Sequence, residues 1–197
     1  ENYMGLIRFI QSKIESARQM KVALRSFENA MKEHEAATKR YITMSAEEFS
    51  LLPEEKLFEA ALARTENKVD GSADMVEGIS ALNEAQKVFY SVNYLDMEVQ
   101  NGGLCQFFVN SSRVVAPFIS EYLEVIGANN YKRLYDDFIS GNRIDLTDLS
   151  SFNVDDISEY ESQTIRYPFE DFDDAYYNLE SLEDYLTSYV KQHIKEF

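Results

Sequence analysis

Three side-chain amides and two glycines fall within one ten-residue stretch, Asn101-Gly102-Gly103-Leu104-Cys105-Gln106-Phe107-Phe108-Val109-Asn110. Gln106 and Asn110 are four residues apart and share a helical face. With Asn101 they place three amides around one tight turn. Amides so clustered either satisfy buried backbone groups where two helices meet or line a polar recognition pocket. The first is the expectation; the second would make a small-molecule site of Asn101, Gln106 and Asn110. Elsewhere the catalytic inventory is thin. His34 and His193 have no Cys, His or carboxylate at metal-ligand spacing. Cys105 sits among Leu104 and Phe107 and reads as a small buried apolar side chain. Paired acids recur at Glu47-Glu48, Glu54-Glu55, Asp136-Asp137, Asp155-Asp156 and Asp173-Asp174. Adjacent helical residues diverge, so such pairs do not converge for acid–base work. No catalytic residue, no metal site and no cofactor is expected.

The elements that carry these residues read as helices throughout. The chain has 7 Gly and 3 Pro and no sustained apolar/polar alternation. A first helix is expected from Tyr3 to Thr38, striped by Tyr3, Ile7, Ile10, Ile14, Ala17, Leu24 and Met31 and interrupted by Lys21 and Glu28. It could pack along the domain or pair with a second copy as a short coiled coil. A break at Tyr41–Ser45 leads to Ser45-Ala-Glu-Glu48, a capping box. Pro53 opens a helix from Glu54 to Lys68, and Ser72 is expected to cap a long helix from Ala73 to Gln100. Asn101-Gly102-Gly103 ends it. A short helix through Cys105–Asn110 follows, then one from Val114 to Ile126 stopped by Gly127, and one from Asn129 to Ile139 stopped by Gly141. A short helix near Val154–Tyr160 and helices at Asp171–Leu179 and Ser181–Lys195 complete an all-α reading: an irregular multi-helix domain over 46–197, with a long helical extension over 1–45.

Charge is the other signal. The 197 residues carry 35 acids against 19 bases, a net charge of −16, and 13 Tyr and 13 Phe supply a core. Residues 135–197 alone hold 16 acids and 4 bases, net −12. That balance argues against direct binding to nucleic acid or an anionic membrane, both of which need cations. Apolar side chains interleave with the acids: Phe152, Ile157, Tyr160, Ile165, Tyr167, Phe169, Phe172, Tyr176, Tyr177, Leu179, Leu182, Tyr185 and Leu186 are expected to anchor an ordered region. One cysteine excludes an internal disulfide and fits a reducing, cytoplasmic setting. No apolar run approaches the ~18 residues of a membrane span, and no signal-peptide pattern opens the chain. The sequence starts at Glu1, not Met, and a trimmed start is expected.

The run Asn101-Gly-Gly-x-x-Gln106-Phe107-Phe-x-Asn110, followed by Glu121-Tyr-Leu-Glu-Val-Ile-Gly-Ala128, resembles a bacterial domain family whose named member is a DNA-mimic protein of the DMP type. Phe172-Asp-Asp-Ala-Tyr-Tyr177 and Tyr185-Leu-Thr-Ser-Tyr-Val190 resemble it too. The likeness covers about residues 50–197. It implies an all-helical fold, no catalysis, and a relative that is a dimer whose acidic face engages a DNA-binding transcription factor. The expected function is therefore a non-enzymatic acidic binding protein that occupies the nucleic-acid site of a basic DNA-binding protein. Its expected surface is Asp145, Asp148, Asp155, Asp156, Glu159, Glu161, Glu170, Asp171, Asp173 and Asp174. A homodimer is compatible with it. The alternatives are an interaction or immunity-type module without mimicry, and an enzyme using the Asn-Gly-Gly pocket.

Overall fold

A computed structural model of the chain describes the backbone of residues 2–197 and the side chains of residue 16 and residues 18–197. Every regular element among them is helical: α1 Asn2–Thr43, α2 Ala46–Ser50, α3 Leu57–Asp70, α4 Met75–Ser80, α5 Glu84–Val109, α6 Ala116–Val125, α7 Asn129–Asn142, α8 Ile157–Thr164, α9 Phe169–Tyr177 and α10 Leu182–Gln192. Short 3-10 turns at Glu54–Lys56, Ser111–Val115, Ser150–Phe152 and Ile194–Glu196 link them. The all-α reading holds. The chain divides into two compact units, Glu1–Thr43 and Met44–Phe197.

In the first unit, α1 runs to Thr43, past the expected end at Thr38. The expected stripe from Tyr3 to Ala17 lies outside the described side chains. In the described part Leu24 and Met31 are exposed, and the apolar side chains beside them on the helix are Met20 and Phe27, which the stripe omitted.

The second unit is built around α5, which is buried on most of its circumference, from Val88, Phe89, Val92, Leu95 and Val99 to Leu104, Phe107 and Phe108. A helix apolar all round can only sit inside. Helices α3, α6, α9 and α10 and the Ser111–Val115 turn pack against it, and α7 bridges α6 and α9. An aromatic chain ties the acidic third to this centre. Phe108 stacks on Phe152 at 4.8 Å, Phe138 lies 5.3 Å from both Phe169 and Phe172, and Tyr131 meets Tyr176 at 4.8 Å. Phe197 packs between Phe49 and Phe89.

Several boundaries differ from expectation, each for a local reason. The Ser45–Glu48 capping box is present, but Pro53 precedes a 3-10 turn before α3 begins. The helix expected over 73–100 is two. The α4 backbone closes at Ala81, and Asn83 opens α5 by accepting a hydrogen bond from the Gln86 amide. The cap of α4 is Asp74, which accepts from the Glu77 N–H, not Ser72. Helix α6 does end at Gly127, whose amide and that of Ala128 bond back to the Glu124 and Leu123 carbonyls. Helix α7 runs through Gly141 and stops at Arg143, a non-glycine residue in the left-handed region at φ 55°. Two expected anchors are not in the core: Ile157 and Ile165 are 79% and 85% exposed, because α8 is short and contributes no buried side chain of its own. Tyr177 is half exposed, although its hydroxyl donates to the Val99 carbonyl at 2.6 Å.

Candidate functional site

The Asn-Gly-Gly stretch is a break inside α5. Gly102 and Gly103 leave helical geometry (φ −162°, ψ 22° and φ 81°, ψ 173°), and the helix restarts at once. Only glycine takes the second of these conformations without strain. Neighbouring side chains also occupy the space that Cβ atoms would need. A Cβ on Gly102 would overlap the Gln106 carboxamide, and one on Gly103 would overlap the Asp173 carboxylate. Asp173, on α9, reaches into the break and accepts a hydrogen bond from the Leu104 N–H at 2.8 Å. It thus caps the restarted helix segment from 69 residues away, the role a local Ser or Asp usually fills.

The break decides where the amides go. In a continuous helix, residues eight apart lie about 12 Å apart along the axis. Here Gln106 Nε2 donates to Glu98 Oε2 at 2.7 Å, and Asn110 Nδ2 donates to the same oxygen at 2.9 Å. The Ser112 hydroxyl donates to Glu98 Oε1 at 2.8 Å. Glu98 is a buried carboxylate, 7% exposed, held by two amides and a hydroxyl. Burying a carboxylate is costly unless it is hydrogen-bonded, and three donors meet that need. The amides therefore serve a buried side chain, not the backbone groups expected. Asn101 is exposed and is not one of the donors to Glu98. Phe107 is fully buried against Phe108, with ring centroids 5.4 Å apart.

Around this network the titrating groups are buried, not activated. Burial, with the nearby Asp173, pushes the Cys105 thiol up to about 11, away from nucleophilic character. Burial, followed by the charges of Cys105, Asp173 and Glu98, raises the Tyr160 phenol. Asp173 is itself raised by burial, opposed by its bond from Leu104. On the other side of α5, Asp96 accepts from the Tyr176 hydroxyl at 2.9 Å and is also raised by burial. Among the described residues no group of three or more His, Cys, Asp and Glu is arranged to hold a metal ion.

The ten expected surface acids divide by task. Asp173 is a correction: it is half-buried and structural. The other nine are exposed. Asp145 accepts from the hydroxyl and amide of Thr147, and Asp148 from the Ser150 amide; hydrogen bonding from the side chains first and then the amides of Thr147 and Ser150 holds both carboxyls below their usual range. Asp156 caps α8 through the Glu159 amide, and the Glu159 carboxylate accepts from the Asp155 amide. Asp155, Glu161, Glu170, Asp171 and Asp174 are exposed on or beside α8 and α9, and among the described residues their carboxylates have no hydrogen-bonding task.

Glu98 and Ser112 are missing from the residue set expected from sequence. One signal for Glu98 was legible: an acid flanked directly by Met97 and Val99, one residue before the apolar position Val99 of the expected helix. The link from Asp173 to Leu104 left none. Among the described residues, no helix is long and apolar enough to cross a membrane. The family model described as DMP19-like protein matches residues 80–193, more than half of the chain and all of this network. No curated protein and no solved structure matches.

Proposed function

Because the chain belongs to the DMP19-like protein family, we propose that it is a non-enzymatic acidic binding protein, cytoplasmic, whose carboxylates take the place of DNA phosphates on a basic DNA-binding protein. The observation that carries this reading is the set of exposed carboxylates on and beside α8 and α9, within a stretch of net −12. Duplex DNA presents one charge per about 1.7 Å of axis, and a basic protein gains affinity by releasing its counterions. A substitute needs negative charges held in place. Asp156 and Glu159 are fixed by capping bonds, and α9 is anchored through buried Phe169, Phe172 and Tyr176. A solvated face that only aids solubility would need no such fixing. The Asn-Gly-Gly motif supports this reading indirectly: it positions α9 through Asp173. Its Gln106 and Asn110 amides are committed to Glu98, so they lend no support to a small-molecule pocket.

The test compares wild type with Glu161→Gln/Glu170→Gln/Asp171→Asn/Asp174→Asn, four exposed residues without a structural bond to lose. Immobilised wild type should retain basic nucleic-acid-binding proteins from a bacterial lysate, and the variant should lose them while keeping its melting temperature. Equal retention by both proteins would refute the reading.

A further inference from the structure

The described part of α1 presents an uncovered apolar ridge: Met20, Leu24, Phe27 and Met31 are 68%, 55%, 64% and 51% exposed. Their steps of four, three and four are the a/d spacing of a coiled-coil seam. Lys21 and Glu28, which seemed to interrupt an apolar stripe, fall on the flank of this ridge. They occupy equivalent positions seven residues apart. The opposite flank carries Ser16, Ala23 and Ala30, all small and uncharged.

From this arrangement we infer that α1 pairs antiparallel with α1 of a second copy. The charges select both the occupant and the direction. With Leu24 facing the partner's Phe27, Met20 faces the partner's Met31, and Lys21 lies beside the partner's Glu28. Two-fold symmetry repeats each contact, so one chain supplies both halves of two opposite-charge pairs. A parallel pair would set Lys21 and Glu28 against the small uncharged flank and gain no such pair. A lone helix cannot cover its own ridge, and α1 forms a compact unit by itself. The pairing lies outside residues 80–193 matched by the family, and it holds or fails independently of the binding role proposed above.

The full chain is tested by light scattering after size exclusion, over a range of concentrations. Wild type should show the mass of two chains, and Leu24→Lys/Phe27→Lys the mass of one with an unchanged melting transition for the rest of the protein. Direction is read from Met20→Cys/Met31→Cys under mild oxidation; Cys105, being buried, stays out of the reaction. Peptide mapping should find residue 20 linked to residue 31 of the other chain. Single-chain mass for wild type at all concentrations, or two-chain mass for the lysine variant, would overturn the pairing. Links of 20 to 20 and 31 to 31 would overturn its direction.

Discussion

Glu98 shows how a residue invisible as a motif can organise one. Its neighbours in sequence are apolar, and its three donors come from beyond a backbone break. The sequence displays the amides of Gln106 and Asn110 clearly, and their shared helical face was legible from spacing alone. Their acceptor was not, because a straight helix would keep Glu98 out of reach. The network sets an order of severity. Glu98→Ala takes the acceptor from the buried Ser112 hydroxyl, the half-buried Gln106 amide and the exposed Asn110 amide, and a buried donor left without an acceptor costs about 1–3 kcal/mol. Glu98→Gln keeps the shape and one acceptor oxygen, but turns an NH2 toward a donor. Urea denaturation should show a loss of about 1–2 kcal/mol for the Gln variant and about 3 kcal/mol or more for Ala. Equal, negligible losses would show that the network does not hold the fold.

At the scale of elements, helical periodicity revealed most of α3, α6, α7, α9 and α10, because their apolar spacing marks the face that packs inward. The α4–α5 junction was hidden: Ala81-Leu82-Asn83 continues a helical apolar pattern, and only the Asn83 side chain closing on the Gln86 amide breaks it. The glycine break at 102–103 was legible as a break. Its second purpose, making room for Asp173, depends on a residue of another helix that no local pattern marks. The same long-range bond turned one expected surface acid into a structural one. Gly103→Ala tests the joint. A Cβ there meets both the left-handed φ and the Asp173 carboxylate, and the expected cost is about 2 kcal/mol or more. Loss of α9 docking should accompany it, read as faster amide exchange at Leu104 and through α9. A variant as stable as wild type, with Leu104 protected, would contradict the assignment.

For the whole molecule the acids act together. Burial raises the carboxyls of Glu66, Asp96 and Asp173 in the folded chain. A raised folded pKa means that the native state binds protons before the unfolded state does. Stability therefore increases as pH falls from neutral through the range of those raised pKa values, and the gain is complete near the ordinary carboxylate value of about 4. Relief of self-repulsion at net −16 works in the same direction. The melting temperature should be higher in mildly acidic buffer than at neutral pH, and Asp96→Asn should flatten that dependence. A melting temperature that falls on mild acidification would contradict it. The concentration of charge in the last third was legible by counting. Which acids are surface and which are caps was not, since capping depends on backbone turns at Asp145, Asp148 and Asp156.

Competition with DNA for a partner tests the central claim most directly. A protein retained by the immobilised chain is challenged with duplex DNA, and separately with rising salt. If α8 and α9 carboxylates stand in for phosphates, DNA should release the partner in proportion to its own affinity for it. The complex should also weaken steeply with salt, as phosphate contacts do. A partner that binds DNA and this chain at the same time, or a complex indifferent to salt, would contradict the account.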